Sequence, residues 1–392
     1  MSNDINSNLN NDLNDNINNK MTIEERQARA KKRKKKRTLS SVVVFFGCLL
    51  VLVVITFIGG YVYMWAADKT KDNAGDEAVA VMNEEVVQVT YTQEEMDAMV
   101  AEAVESAKAE AFETASAEIL NSIQAGLEGG QSYVETLRPF YPDDLLLVSG
   151  GKFHFVPIQE NLKMNDHVEE NLVILESGEY QYMENGQVVS HKGIDVSKFQ
   201  GDIDWKQVAE DGVEFAFIRV GLRGYGSGKL VEDEYFEQNI KGALSAGIKV
   251  GVYFYTQAIN EEELMEEANF VLEKIAPYKV ELPVVFDVEK VSGDNGRMNS
   301  LSLEERTNLT LLFCQTIENA GYKPMIYHNM EMSTLMLDLE TLESYDKWFA
   351  YYNSDFYYPY EYAIWQYSDT GRVNGIKGNV DLNISFGPLW EE

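Results

Sequence analysis

The chain has 392 residues, room for more than one domain, and its 33 basic and 64 acidic residues leave a net charge of −31. The first 40 residues carry 10 Lys or Arg and 5 Asp or Glu, so the rest holds 23 basic and 59 acidic residues. A surface that acidic repels polyanions, which argues against nucleic-acid binding, and two cysteines imply no disulfide framework.

Residues 1–40 begin with an Asn- and Asp-rich stretch and end in the basic block "KKRKKKR" at 31–37, a pattern that reads as a disordered basic tail. Residues 41–67 follow, and from 42 onward they contain no charge. About 20 apolar residues span a bilayer, so a transmembrane helix is expected here. The basic block keeps the tail cytoplasmic and sends the bulk of the chain outside, the arrangement of a single-pass type II cell-membrane protein. The lead of about forty residues is too long for a cleaved signal peptide. Cys48 lies in this run.

Residues 68–134 are acidic and rich in Ala and Glu, and read as a helical stalk. "TQEE" at 92–95 has the form of a capping box, and a helix from there to Gly126 would extend roughly 50 Å at about 1.5 Å per residue. Its apolar spacing is irregular, which favours a single helix over a coiled-coil dimer; the oligomeric state stays open. Residues 135–190 change character. "LLLVSGGKFHFV" and "EYQYMENGQVVS" each set a Gly-Gly or Asn-Gly pair between alternating residues, the signal of a hairpin. A small β-rich module or collar is expected, either packed on the next domain or binding cell wall.

Residues 191–392 alternate strand and helix. Eight β-rich runs recur: "GIDVS", "FAFIRVG", "KVGVYFYT", "LPVVFDVE", "KPMIYHN", "KWFAYYN", "YAIWQYS" and "NVDLNIS". Helical stretches such as "EEELMEEANFVLEKI" separate most of the first six, whereas the last three are joined by shorter links. The fold class expected is α/β: an irregular, TIM-like parallel (β/α) barrel of eight strands with fewer helices. Cys314, in "LTLLFCQTIENAG", reads as a small core hydrophobe.

Side chains alternate faces along a strand. In "VVFDVE" the acids Asp287 and Glu289 share a face with Val285, opposite the apolar Val284, Phe286 and Val288. Asp195 in "GIDVS" and Asp381 with Asn383 in "NVDLNI" split the same way. Three strands thus aim carboxylates at the open end of the barrel. Crowded carboxylates in a dry cavity cannot all ionise, so at least one is held protonated. A protonated acid beside an ionised one is what glycoside hydrolysis requires. Tyr253, Phe254, Tyr255, Tyr327, Tyr351, Tyr352, Trp365 and Tyr367 fall near strand ends, where flat faces with polar edges suit sugar rings, and Tyr253 and Tyr255 share a face.

Taken in order, "GIDVSKFQGDIDW", "FAFIRVG", "GIKVGVYFYT", "PVVFDVE" and "IWQYSDTGRVNGIKGNVDLN" resemble glycoside hydrolase family 25, the bacterial and phage N-acetylmuramidases (lysozymes), across residues 191–392. The resemblance implies an irregular β/α barrel. It also implies cleavage of the β-1,4 bond between N-acetylmuramic acid and N-acetylglucosamine in peptidoglycan, with no cofactor and no metal. By resemblance Glu289 matches the general acid and Asp287 the acid that steers the acetamido group. Asp195 and Asp381 match the flanking acids, and Tyr255, Tyr327 and Gln366 lie in motifs that line the cleft. Phe199 stands where Trp or Tyr is commoner, and His328 where a small polar residue is usual. The expected partners are peptidoglycan glycan strands, and the membrane through the N-terminal span. Two other readings of the acids are a metal-dependent hydrolase and a non-catalytic, membrane-tethered wall-binding module. His154, His167, His191 and His328 show no zinc-ligand spacing.

Overall fold

The computed structural model describes residues 92–291 and 296–387. The expected tail at 1–40, the span at 41–67 and the first part of the stalk lie outside the described residues. Among those described, no helix is long and apolar enough to cross a membrane. The chain divides into two compact units, Met1–Leu137 and Arg138–Glu392.

In the first unit, α1 (Gln93–Glu128) runs for 36 residues, roughly 54 Å. Its start is fixed by the expected capping box: Thr92 accepts from the Glu95 amide while the Glu95 carboxylate accepts from the Thr92 amide. None of its residues is buried, and Met96, Val100, Val104 and Ile119 are exposed. A short α2 (Tyr133–Leu137) follows.

The second unit opens with two small sheets. Strands β1 (Asp144–Ser149) and β2 (Lys152–Pro157) pair antiparallel through Gly150 and Gly151, both at positive φ (57° and 72°), which glycine alone reaches without strain. Strand β3 (Leu172–Ile174) pairs with β4 (Tyr180–Glu184), which turns at Asn185–Gly186 into β5 (Gln187–Val188). These sheets pack on the barrel rather than standing apart. The Leu146 amide donates to the Tyr357 hydroxyl (2.6 Å), the Gln159 amide to the Tyr360 hydroxyl (2.9 Å), and the Tyr180 ring stacks on Tyr367 at 4.2 Å.

The barrel takes β6 (His191–Val196), α3 (Trp205–Glu210), β7 (Phe215–Arg223), β8 (Leu230–Glu232), α4 (Phe236–Ser245), β9 (Lys249–Tyr255), α5 (Glu261–Ile275), β10 (Val284–Asp287), α6 (Leu303–Asn319), β11 (Pro324–Asn329), β12 (Asp346–Ala350), β13 (Ile364–Gly371) and β14 (Val380–Ser385). All eight expected strands are present, and β8 is an unforeseen hairpin partner of β7. The order is β6-β14-β13-β12-β11-β10-β9-β7, closed by β6 on β7. The expected parallel barrel is irregular at its end: β14 runs antiparallel to both β13 and β6. Only residues 372–379 link β13 to β14, fewer than the dozen or so a parallel crossover needs, so the chain returns as a hairpin.

Two apolar layers hold this ring. Outside, α5 buries Leu264, Ala268, Val271 and Ile275, spaced 4, 3 and 4 apart, and α6 buries Leu309, Phe313, Cys314 and Ile317. Burial pushes the Cys314 thiol up to about 12, as befits a core hydrophobe. Inside, Phe215, Phe217, Val285, Met325, Trp348 and Ile364 fill the lumen. Gly193 makes room for them, since a Cβ there would stand 2.1 Å from the Phe215 ring.

Candidate active site

Strand register brings the acids together. Asp287, the last residue of β10, lies between Tyr255 of β9 and Tyr327 of β11. Asp195 on β6 is flanked by Phe217 of β7 and by Asp381 of β14. Because β14 is reversed, its first residues lie at the rim where the other strands end, which is how Asp381 meets Asp195. On β13, Gln366 stands between Ala350 and Asn383, and Arg219 on β7 is beside Tyr253. Glu289 lies two residues past the end of β10 and shares the Tyr327 hydroxyl with Gln366, whose Oε1 is 2.8 Å from it.

Each carboxyl sits in its own field. Asp195 is buried, and burial pushes it up to about 6 although its Oδ2 accepts from Gln366 (2.8 Å) and Asn383 (2.9 Å) and Arg219 lies near. Asp287 is 7% exposed, and its Oδ1 has no hydrogen-bond partner among the described residues. Burial, then Glu289 and Asp195, raise it well above the carboxylate range. Burial also raises half-buried Glu289, against the Tyr327 hydrogen bond. Asp381 is pushed up to about 8 by burial, then by Asp195 and Asp369. Arg219 cannot neutralise the group by itself, because it is paired with buried Asp233 at 2.7 Å. Such a set holds at least one proton near neutral pH and can deliver it to a bound oxygen.

The aromatic residues divide by strand face. Tyr253 and Tyr327 point into the barrel, where both pack on Trp348, and Tyr255 stands beside Asp287. Tyr253 is buried close to the acids: burial, then Asp195, raises its hydroxyl well above the ordinary range. Trp365 requires a correction. Ile364 and Gln366 face inward, so Trp365 faces outward, where it is buried against Tyr180 of the second small sheet and donates to the Tyr351 carbonyl at 2.6 Å. It does not face the acids. Tyr367 shares that outer face. Gln366 is central: its Oε1 accepts from Tyr327 and from Tyr352 (2.9 Å) while its amide holds Asp195.

Further residues contribute to the site beyond those given a role from sequence. Tyr352 and Asn383 bind site residues directly, and Asn383 Oδ1 accepts from Trp348 Nε1 at 2.8 Å. Its place on the Asp381 face was the available signal. The Arg219–Asp233 pair joins two segments with no motif in common. Phe199 is 76% exposed with the Arg219 guanidinium 5.2 Å from its ring centre. Among the described residues, no three His, Cys, Asp or Glu side chains are grouped to hold a metal ion.

Among comparisons with known proteins, the family match covers most of the barrel but not its last strand. Residues 194–376 match the family model described as Glycosyl hydrolases family 25. The chain is 29% identical over 209 residues to "Uncharacterized protein YegX" of Escherichia coli K12, covering 51% of this chain and 71% of that one. It is 28% identical over 193 residues to "Autolytic lysozyme" of Clostridium acetobutylicum, covering 49% of this chain and 55% of that protein. Among solved structures, the modular autolysin LytC of Streptococcus pneumoniae, determined with a synthetic peptidoglycan ligand, is 26% identical. That match covers 55% of this chain and 52% of LytC, with a TM-score of 0.46.

Proposed function

Residues 194–376 form a glycosyl hydrolase family 25 domain, and from that premise we propose that the chain is a lysozyme-type peptidoglycan hydrolase, a 1,4-β-N-acetylmuramidase, with Glu289 as general acid and Asp287 assisting. The observation that carries this reading is the Asp287 carboxyl, buried at a strand end beside Glu289 with one oxygen unpartnered. An unsatisfied buried acid is costly, so its retention at the strand ends beside Glu289 points to a bound group that completes it. An acetamide N–H or a sugar hydroxyl meets that need. Glu289, half-buried and higher on the rim, has access to the glycosidic oxygen.

The test uses purified peptidoglycan and mass spectrometry of the released fragments. Glu289→Gln abolishes release of muropeptides while the protein still folds; full turnover by that variant removes Glu289 from the role of acid. Activity that survives a chelator counts against the metal-dependent reading.

The uncharged run at 42–67 behind the basic block supports a further part of the proposal: a type II membrane anchor that places the barrel outside the cell. Tethering keeps an acidic enzyme at high effective concentration near an anionic wall that would otherwise repel it. Protease added to intact cells then reaches the barrel, and complete protection of the barrel contradicts the topology.

A further inference from the structure

Lys290 follows Glu289 directly in the chain. Its ammonium lies 2.5 Å from Glu331 Oε1 and 3.3 Å from Ser149 Oγ. Glu331 stands just past β11, and its carboxylate also accepts the Ser149 hydroxyl at the end of β1. His154, in the facing strand β2, approaches the Ser149 carbonyl at 3.4 Å and contributes to the field on Glu331. Burial opposes ionisation of Glu331, but the bonds from Lys290 and Ser149 outweigh it and hold the carboxyl below its ordinary range. A three-residue bridge thus runs from the β1–β2 hairpin, outside the matched domain, to the residue next to the proposed acid.

From this geometry we propose that Glu331 and Ser149 are positioning residues that fasten the Lys290 ammonium on the hairpin side of the rim, away from the Glu289 carboxyl. The inference rests on Glu289 being the acid. A mobile cation one residue from a carboxylic acid favours its ionised form and would disarm it. The other groups facing Glu289 supply no such cation. They are Asp287 on β10, Asp195 on β6, Asp381 on β14, Tyr255 on β9 and Tyr327 on β11. Arg219 on β7 acts on Asp195 and Asp287 and is paired with Asp233. Val291, the next residue, is held too: Asn299 accepts from its amide (3.2 Å) and donates to its carbonyl (2.7 Å). Releasing Lys290 therefore changes where its charge goes more than where the backbone goes.

The experiment follows kcat against pH on purified peptidoglycan for the full chain in detergent, with melting curves for each variant. Glu331→Gln frees the cation, and the alkaline limb moves down by about one pH unit, a roughly tenfold loss of rate above it. Ser149→Ala moves it less, in the same direction. The double variant Glu331→Gln/Lys290→Gln lacks the cation and returns the limb to its wild-type position. A limb in Glu331→Gln that coincides with wild type overturns the proposal, as does a double variant impaired as badly as the single one. An inactive Glu289→Gln alongside an unmoved limb in Glu331→Gln sinks this inference alone; an active Glu289→Gln sinks the assignment of the acid beneath it.

Discussion

Asp195 and Asp381 are direct register partners across the antiparallel pair β6–β14, so two carboxyls from segments 186 positions apart meet at one point of the rim. Burial raises both, to about 6 and about 8. Each folded value lies above the ordinary carboxylate value, so the native state keeps protons that the unfolded chain releases. Their stabilising contribution is therefore complete below about pH 4 and is lost as pH rises through 6 and then 8. Surface carboxylates held low by lysine, such as Glu281, act in the opposite sense at acid pH. The informative measurement is the difference between wild type and Asp381→Asn. The variant should be the more stable by about 1–2 kcal/mol at pH 8, with the advantage gone near pH 4. Equal stability at both pH values would mean that the Asp381 carboxyl is not held neutral.

Asn383 has two buried jobs, donating to Asp195 and accepting from the Trp348 indole. Asn383→Leu keeps the approximate volume and removes both bonds. The stranded indole N–H costs about 1–3 kcal/mol. Asp195 also loses one of its two amide donors, so its carboxyl rises further. Denaturant melts should show the stability loss, and kcat on peptidoglycan should fall at least tenfold because Asp195 no longer has a fixed orientation. A variant that melts lower but turns over at the wild-type rate would make Asn383 a core residue only.

Period-two alternation was enough to place Asp195, Asp287 and Asp381 on the inner face, because in each strand the opposite side is purely apolar. It failed for Trp365. Its aromatic character on β13 suggests sugar binding, and nothing local says that a second layer will cover the outer face. That layer is built from residues near 180, more than 180 positions upstream. The reversal of β14 was hidden for a related reason. A strand's own pattern is the same in either direction, and only the shortness of the link before it, residues 372–379, carries the information. The Gly-Gly and Asn-Gly hairpins were legible because their turn chemistry is local.

Trp365 tests this division of faces. Its ring is buried against Tyr180, 5.4 Å between ring centres, and against Phe356 at the same spacing. Trp365→Ala should cost about 3–5 kcal/mol, the range for an aromatic core deletion. The surviving folded fraction should keep its KM for soluble glycan. A large rise in KM with little loss of stability would return Trp365 to the substrate cleft.

Phe199 is the converse case, an aromatic ring that the fold leaves uncovered. It follows β6, four residues after Asp195, in the short turn of 3₁₀ helix over Lys198–Gln200. That turn is closed by Ser197, which accepts from the Phe199 amide at 3.4 Å. The Arg219 guanidinium against the ring contributes a cation–π attraction of about 0.5–1 kcal/mol at such an exposed site. A flat apolar face left exposed near the carboxylates suits the C–H face of a sugar ring rather than protein packing. Phe199→Ala should therefore leave the melting temperature within about a degree, since little buried surface is lost. It should raise KM for glycan several-fold with kcat nearly intact, because a stacking contact away from the reacting bond binds ground state and transition state alike. Phe199→Trp should preserve KM or lower it. If Phe199→Ala instead lowers kcat with KM unchanged, the ring works through Arg219 on the acids and is not a sugar platform.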